Sequence, residues 1–200
     1  KVVPKKGKYL FVDQKALNKI RGLDGVLGAS EVIEEKVVFS NELNSGATIL
    51  KGVFADYHLT PALDSLSLVG VFSPEKENTI YLGADLASSL EVVLSKEFSL
   101  LATAPKSNTN SLFGFSPFSS KQFDIEGIYQ ISSDIEKKYA FTSMASMASL
   151  TGAQENTFTS VEIFSNKSLT DNDVKTFITD ELGDKAEVLT KQDLNPALYK

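Results

Sequence analysis

The chain contains one histidine, His58, among many serines. Serine-based nucleophilic catalysis would need that imidazole beside an activated hydroxyl, with a carboxylate behind it. No Gly-x-Ser-x-Gly elbow occurs, and His58 reads as a turn residue shortly before Pro61. Zinc and similar metals need several histidines or some cysteines, and there are no cysteines. Paired carboxylates could serve glycosidic acid–base chemistry if folding brought two together. The tightest groups are Glu34-Glu35, Asp134/Glu136 and Asp171/Asp173. Such groups are expected here as solvated faces or helix caps; Asp171 and Asp173 fall in a first helical turn, where the macrodipole accounts for them. Neither a Gly-x-x-x-x-Gly-Lys-Ser/Thr loop nor a Gly-x-Gly-x-x-Gly loop is present. The expectation is a protein that is not an enzyme and has no cofactor or metal.

The side chains with most to offer are apolar. Between Pro105 and Lys121 runs a polar loop whose tip holds Leu112, Phe113, Phe115 and Phe118, with Gly114 and Pro117 shaping the turn. Connections this long are usually functional or disordered, and a disordered linker would lack aromatics. The tip therefore suggests a surface that docks onto something. The alternative is that the four side chains fold back over a satellite core, and the residues alone leave both open.

Composition narrows the partner. The chain has 200 residues, 42% hydrophobic and 23% charged, enough to bury a core in one large domain or two small ones. Net charge is −6, and only one of the 20 basic residues is an arginine, Arg21. Nucleic acid and anionic membrane surfaces are disfavoured on that basis. No apolar run approaches the ~20 residues that cross a bilayer. The opening Lys-Val-Val-Pro, with neither Met nor an apolar leader, and the ending Leu198-Tyr199-Lys200 are expected of a piece of a longer protein.

The elements that would position the loop follow from periodicity and caps. Tyr9 to Val12 reads as a strand, and Asp13 caps a helix with Ala16, Leu17, Ile20 and Leu23 inward, ended near Gly22. Val26 to Phe39 and Ala47 to Phe54 form a hairpin around the turn Asn41–Gly46. Thr60 to Glu77, with Pro61, Gly70 and Pro74, is expected to be irregular. Thr79 to Leu82 is a strand, then Gly83 and Asp85 start a helix carrying Leu86 and Leu90. Strands Phe98 to Ala102 and Gln122 to Tyr129, the latter marked by Phe123, Ile125 and Ile128, flank the aromatic loop. Lys138 to Thr142 is a strand leading into a helix with Met144, Met147 and Ala148 inward, closed by Gly152. Thr159 to Ser165 alternates, with Val161 and Ile163 on one face. Thr170 and Asp173 form a capping box for a helix with Val174, Phe177, Ile178 and Leu182 inward. Ala186 to Leu189 is a last strand, and Asp193 opens a short terminal segment. The fold class expected is α+β, with an α/β lobe from both chain ends (1–46 plus 155–200) and an inserted, mostly β lobe (47–154).

Several stretches together resemble the extracytoplasmic domain of MacB/FtsX-like ABC-transporter permeases, and within them the lipoprotein-releasing permeases of the LolC and LolE type. They are Leu17-Asn-Lys-Ile20-Arg-Gly-Leu-Asp-Gly25-Val26, Leu50-Lys-Gly52-Val53, Ile80-Tyr-Leu-Gly83-Ala-Asp-Leu86-Ala87-Ser-Ser-Leu90, Phe123-Asp-Ile125-Glu-Gly127-Ile128-Tyr129, and Tyr139-Ala140-Phe141 before a Met/Ala helix. The resemblance runs from about Leu17 to Tyr199 and rests on the order and spacing of the motifs. Departures are Ser95 in place of a glycine and Asp56-Tyr57 in place of Asp-Pro. It implies a Porter-like lobe from the chain ends and a Sabre-like inserted lobe, in a periplasmic domain of an inner-membrane protein. It also implies a partner permease subunit and a cytoplasmic ATPase subunit. The loop 105–121 falls where that family carries a Hook that recruits the soluble lipoprotein carrier LolA. Leu112, Phe113, Gly114, Phe115, Pro117 and Phe118 would be its partner-binding residues, and Lys121 a basic pad residue. Ser120 replaces a glutamine of that pad, and Leu101 stands near where another basic pad residue is expected. The resemblance equally admits a MacB or FtsX role, coupling ATP-driven motion to efflux or to a cell-wall hydrolase. Without it, a standalone secreted binding module or hydrolase would remain.

Overall fold

A computed structural model describes residues 1–92, 98–107, 117–131, 138–166 and 168–194. In chain order they form β1 (Val2–Pro4), β2 (Leu10–Phe11), α1 (Gln14–Arg21), β3 (Val26–Ser40), β4 (Ser45–Val53), α2 (Thr60–Ser65) and β5 (Ser67–Gly70). Then come β6 (Thr79–Gly83), α3 (Ala84–Ser89), β7 (Ser99–Pro105), β8 (Phe118–Tyr129), β9 (Tyr139–Ser143) and α4 (Met144–Thr151). The chain finishes with β10 (Thr157–Phe158), β11 (Ser160–Ser165), α5 (Asp171–Leu182), a 3-10 turn (Gly183–Lys185), β12 (Ala186–Val188) and α6 (Lys191–Leu194). Contacts divide it into two units, Lys1–Val32 with Glu155–Lys200, and Ile33–Gln154. The division falls inside β3, which gives its first half to one unit and its second half to the other.

In the unit made from the chain ends, β1 lies between β11 and β12, and β11 pairs antiparallel with the first half of β3. Asp13 caps α1 by accepting from the Ala16 N–H at 2.7 Å, and Leu17 and Ile20 are buried beneath. Thr170 and Asp173 make the capping box of α5, which buries Val174 and Ile178; Phe177 and Leu182 are half-buried. The chain's one arginine is committed internally. Arg21 Nε donates to Ala29 O at 2.9 Å, and its guanidinium pairs at 3.3 Å with Glu31, a carboxylate only 2% exposed. A buried carboxylate needs such a partner, so Arg21 serves the fold.

In the inserted unit the strand pairings run β3–β4–β9–β6–β8–β7 and return to β3. β4 and β9 are parallel, as are β6 and β8; β7 is antiparallel to both β8 and β3. Inside lies an aromatic group, with Phe72 stacked on Tyr81 at 5.6 Å, Tyr81 near Tyr129 at 5.4 Å, and Tyr129 edge-on to Phe141 at 5.7 Å. α4 packs on β4 at a position where only glycine fits, because a Cβ on Gly52 would lie 2.3 Å from Met147 Cβ. Met144 and Met147 are buried, Ala148 is half-buried, and Gly152 ends the helix in left-handed conformation.

Three expectations need correction. The stretch from Thr60 to Glu77 is not irregular: it holds α2 and β5. Pro61 sits in the first helical turn, where the missing N–H costs nothing, and Gly70, at φ +74, bends the chain against Glu126 O. Glu34 and Glu35 are not solvated. Glu34 pairs at 3.1 Å with Lys51, Lys51 lies 5.1 Å from the Tyr139 ring, and both Glu35 and Lys51 are buried. The strand after the aromatic loop starts at Phe118, not Gln122. Asp134 and Glu136 lie outside the described residues.

Candidate functional site

The aromatic loop is carried by a hairpin of β7 and β8. Seven residue pairs zip it, from Ser99↔Asp124 to Pro105↔Phe118. Alternation along β7 buries Leu100, Ala102 and Ala104 and turns Leu101, Thr103 and Pro105 outward. Directly paired residues share a face, so Ser119, Lys121 and Phe123 lie on the inner side, and Phe118, Ser120 and Gln122 on the outer. The Lys106 N–H donates to Pro117 O at 2.8 Å and closes the last rung. The Ser107 N–H donates to Thr151 O at 2.8 Å, tying the arm's root to the end of α4. The loop therefore leaves from a base fixed on two sides.

Of the residues named from sequence, Pro117 is exposed at the root and Phe118 is 52% exposed on the outer face. Leu112, Phe113, Gly114 and Phe115 lie outside the described residues. Lys121 is half-buried on the opposite, inner face, its ammonium 6.0 Å from the centre of the buried Phe123 ring. Leu101, near the second pad position, is 44% exposed on the outer face opposite Gln122. Leu101 and Lys121 thus lie on different faces of the hairpin. Outward beside Thr103 stands Val38, 45% exposed, a residue the sequence reading missed. In Val37-Val38-Phe39 all three residues are apolar, which hides the facing; the alternation of buried Val37 and Phe39 was the available signal.

The outer face of β3, β7 and β8 near the arm thus holds Val38, Ser40, Leu101, Thr103, Pro105, Phe118, Ser120 and Gln122, with exposed Lys36 next outward along β3 and exposed Asp124 next outward along β8. Thr103 and Ser120 hydroxyls share a hydrogen bond at 2.9 Å across it. Such a surface offers apolar contact and hydrogen bonds, with a lysine at the arm end and an aspartate at the other. Among the described residues no group of carboxylates or imidazoles that could hold a metal is present. His58 lies exposed in the turn between β4 and α2.

Likeness to known proteins is seen in the fold and not in the sequence. No family model matches the chain, and no curated protein matches its sequence significantly. The structure is similar to the extracellular domain of YknZ, a noncanonical ABC-type transporter from Gram-positive bacteria, with a TM-score of 0.62 and 11% identity over 94% of this chain and 98% of that one. It is similar also to the periplasmic region of MacB from Actinobacillus actinomycetemcomitans, with a TM-score of 0.63 and 7% identity over 100% of this chain and 91% of that one. The chain therefore has the mixed α+β, sheet-rich fold of these extracytoplasmic transporter domains. Among the described residues no helix is long and apolar enough to cross a membrane.

Proposed function

We propose that this chain is the extracytoplasmic domain of an ABC-transporter permease that takes part in releasing lipoproteins from the inner membrane. It would dock a soluble periplasmic carrier of the LolA kind through the arm 105–121. In this reading the unit from the chain ends is the Porter-like lobe and the inserted unit is Sabre-like. The parent chain sits in the inner membrane with a partner permease subunit, and a cytoplasmic ATPase subunit supplies the energy. The likeness of fold over nearly the whole of YknZ's and MacB's domains supports the permease part. The observation that carries the docking part is the hairpin base: two hydrogen bonds fix the point from which an aromatic-rich segment leaves, and Phe118 at that point is exposed. Leu112, Phe113, Phe115 and Phe118 would enter an apolar groove on the carrier, each contributing roughly 1–2 kcal/mol on burial. Lys121 would add a cation at the root of the arm.

A second reading is a MacB- or FtsX-type domain that transmits ATP-driven motion to efflux or to a cell-wall hydrolase, with no carrier. It is favoured by the identity of the two similar structures, which are domains of YknZ and MacB. Immobilised domain incubated separately with purified lipoprotein carrier and with a purified outer-membrane efflux channel separates the two. Retention of the carrier alone is the expected result. Retention of the channel alone would replace the first reading with the second.

A further inference from the structure

The hairpin that carries the arm has two faces, and only one is open to a partner. Its inner face is core: Leu100, Ala102, Ala104 and Phe123 are buried, as are Val37 and Phe39 beside them on β3. A protein seated at the root of the arm therefore meets the hairpin from its outer side. There Val38, Leu101 and Phe118 stand in water, with Thr103 and Ser120 bonded to each other among them. Lys36 is the exposed cation of this face, and Lys106 is exposed at the arm root. The Lys36 ammonium has no ion pair among the described residues, and Glu34, two residues back on the same side of β3, is already held by Lys51 at 3.1 Å. The exposed carboxylate of the face, Asp124, lies six rungs along the hairpin from Phe118, about 20 Å away. The arm end is thus cationic as well as apolar.

We infer that the protein docked on the arm also rests on this outer face, burying Val38 and Leu101 beside Phe118 and setting a carboxylate against Lys36. The inference rests on the docking reading for the identity of that partner, the soluble lipoprotein carrier. Reach decides it. Strand spacing and rise put Val38 and Leu101 roughly 12–14 Å from Phe118. A standard interface covers about 800 Å² on each partner, a patch about 16 Å in radius. A carrier centred on Phe118 covers both residues without any movement of the hairpin. Val38 is then a contact residue supplied by β3, outside the arm itself, and Lys36 selects for an acidic rim on the carrier.

Calorimetric titration of the purified lipoprotein carrier into the domain tests this with Val38→Ser and Lys36→Gln, both at exposed positions. Val38→Ser should weaken binding about fivefold with an unchanged melting temperature. Lys36→Gln should weaken it about threefold at low salt and not at all near 0.5 M salt, where exposed charges are screened. If Val38→Ser melts lower, Lys36→Gln and its salt dependence decide alone. A carrier that binds both variants as it binds wild type overturns the inference and leaves the docking reading standing, provided the Phe113→Ala/Phe115→Ala variant has lost it. A carrier that does not bind wild type overturns the docking reading and the inference with it. Sedimentation of the domain alone should give a monomer. A dimer that Val38→Ser disperses would mean that a second copy of this chain covers the face, and would also overturn the inference.

Discussion

Gly52 and Lys51 sit side by side on β4, and each answers to one neighbour. A methyl group on Gly52 would collide with Met147, which belongs to a helix held at its other end by the Ser143 cap. Gly52→Ala should therefore overpack the strand–helix contact and cost about 1–3 kcal/mol. A lower urea midpoint with an unchanged slope would show it, and wild-type stability would contradict it. Lys51 pairs with Glu34 inside the inserted unit. Lys51→Ala leaves that carboxylate largely buried without its cation, at a cost of roughly 3 kcal/mol, measurable in the same experiment. These residues were legible as a motif, Leu50-Lys-Gly-Val53, while their reasons were not. Lysine on a strand reads as solvated. Only Glu34, Tyr57 and Tyr139 around the ammonium, on the face of β4 away from α4, make it internal. The same holds for Gly127, where a Cβ would meet Val69 O at 2.6 Å and the Tyr81 ring. The motifs that carry the family resemblance are thus largely conditions for packing.

α5 shows an element whose start is written in its sequence. Thr170 Oγ1 accepts from the Asp173 N–H at 3.2 Å, and Asp173 accepts from the Thr170 N–H at 3.0 Å. Thr170→Ala should cost about 1 kcal/mol of stability. The hydrogen bonds from Thr170, side chain first and backbone second, hold the Asp173 carboxyl below the usual carboxylate range. Its folded value is therefore lower than its unfolded one. The cap's contribution is complete above the ordinary Asp range and is lost as pH falls through the lowered folded value. A carboxyl-detected NMR titration should find Asp173 titrating below a free aspartate and moving up in Thr170→Ala; a midpoint indifferent to that change would contradict the account. The same device recurs at Thr190 and Asp193, where only Asp193 drew attention in the sequence. Caps, alternation and turns were legible at most elements. They failed where one residue type allows two outcomes: Pro61 and Gly70 read as breakers but serve a first helical turn and a bend. Ser119-Ser120-Lys121-Gln122 lacks strand formers, so the start of β8 is imposed by its ladder with β7.

At the scale of the whole molecule, two units alternate along the chain: the ends build one, the middle the other. The division inside β3 follows no break in composition, since Val32 and Ile33 are both buried and apolar, so contact rather than sequence defines it. The arm's position between two paired strands was legible, because both flanks read as strand. The outer face of β3, β7 and β8 was not, because it arises from register across the three strands. The permease reading also predicts apolar helices of about 20 residues on each side of this chain in the parent protein; the parent gene sequence checks it, and polar flanks would contradict it. The most direct test of the central claim is calorimetric titration of the purified lipoprotein carrier into the domain, wild type against a Phe113→Ala/Phe115→Ala double variant. The account predicts binding by wild type, loss of binding by the variant, and the same melting temperature for both. A variant that binds as wild type does would contradict it.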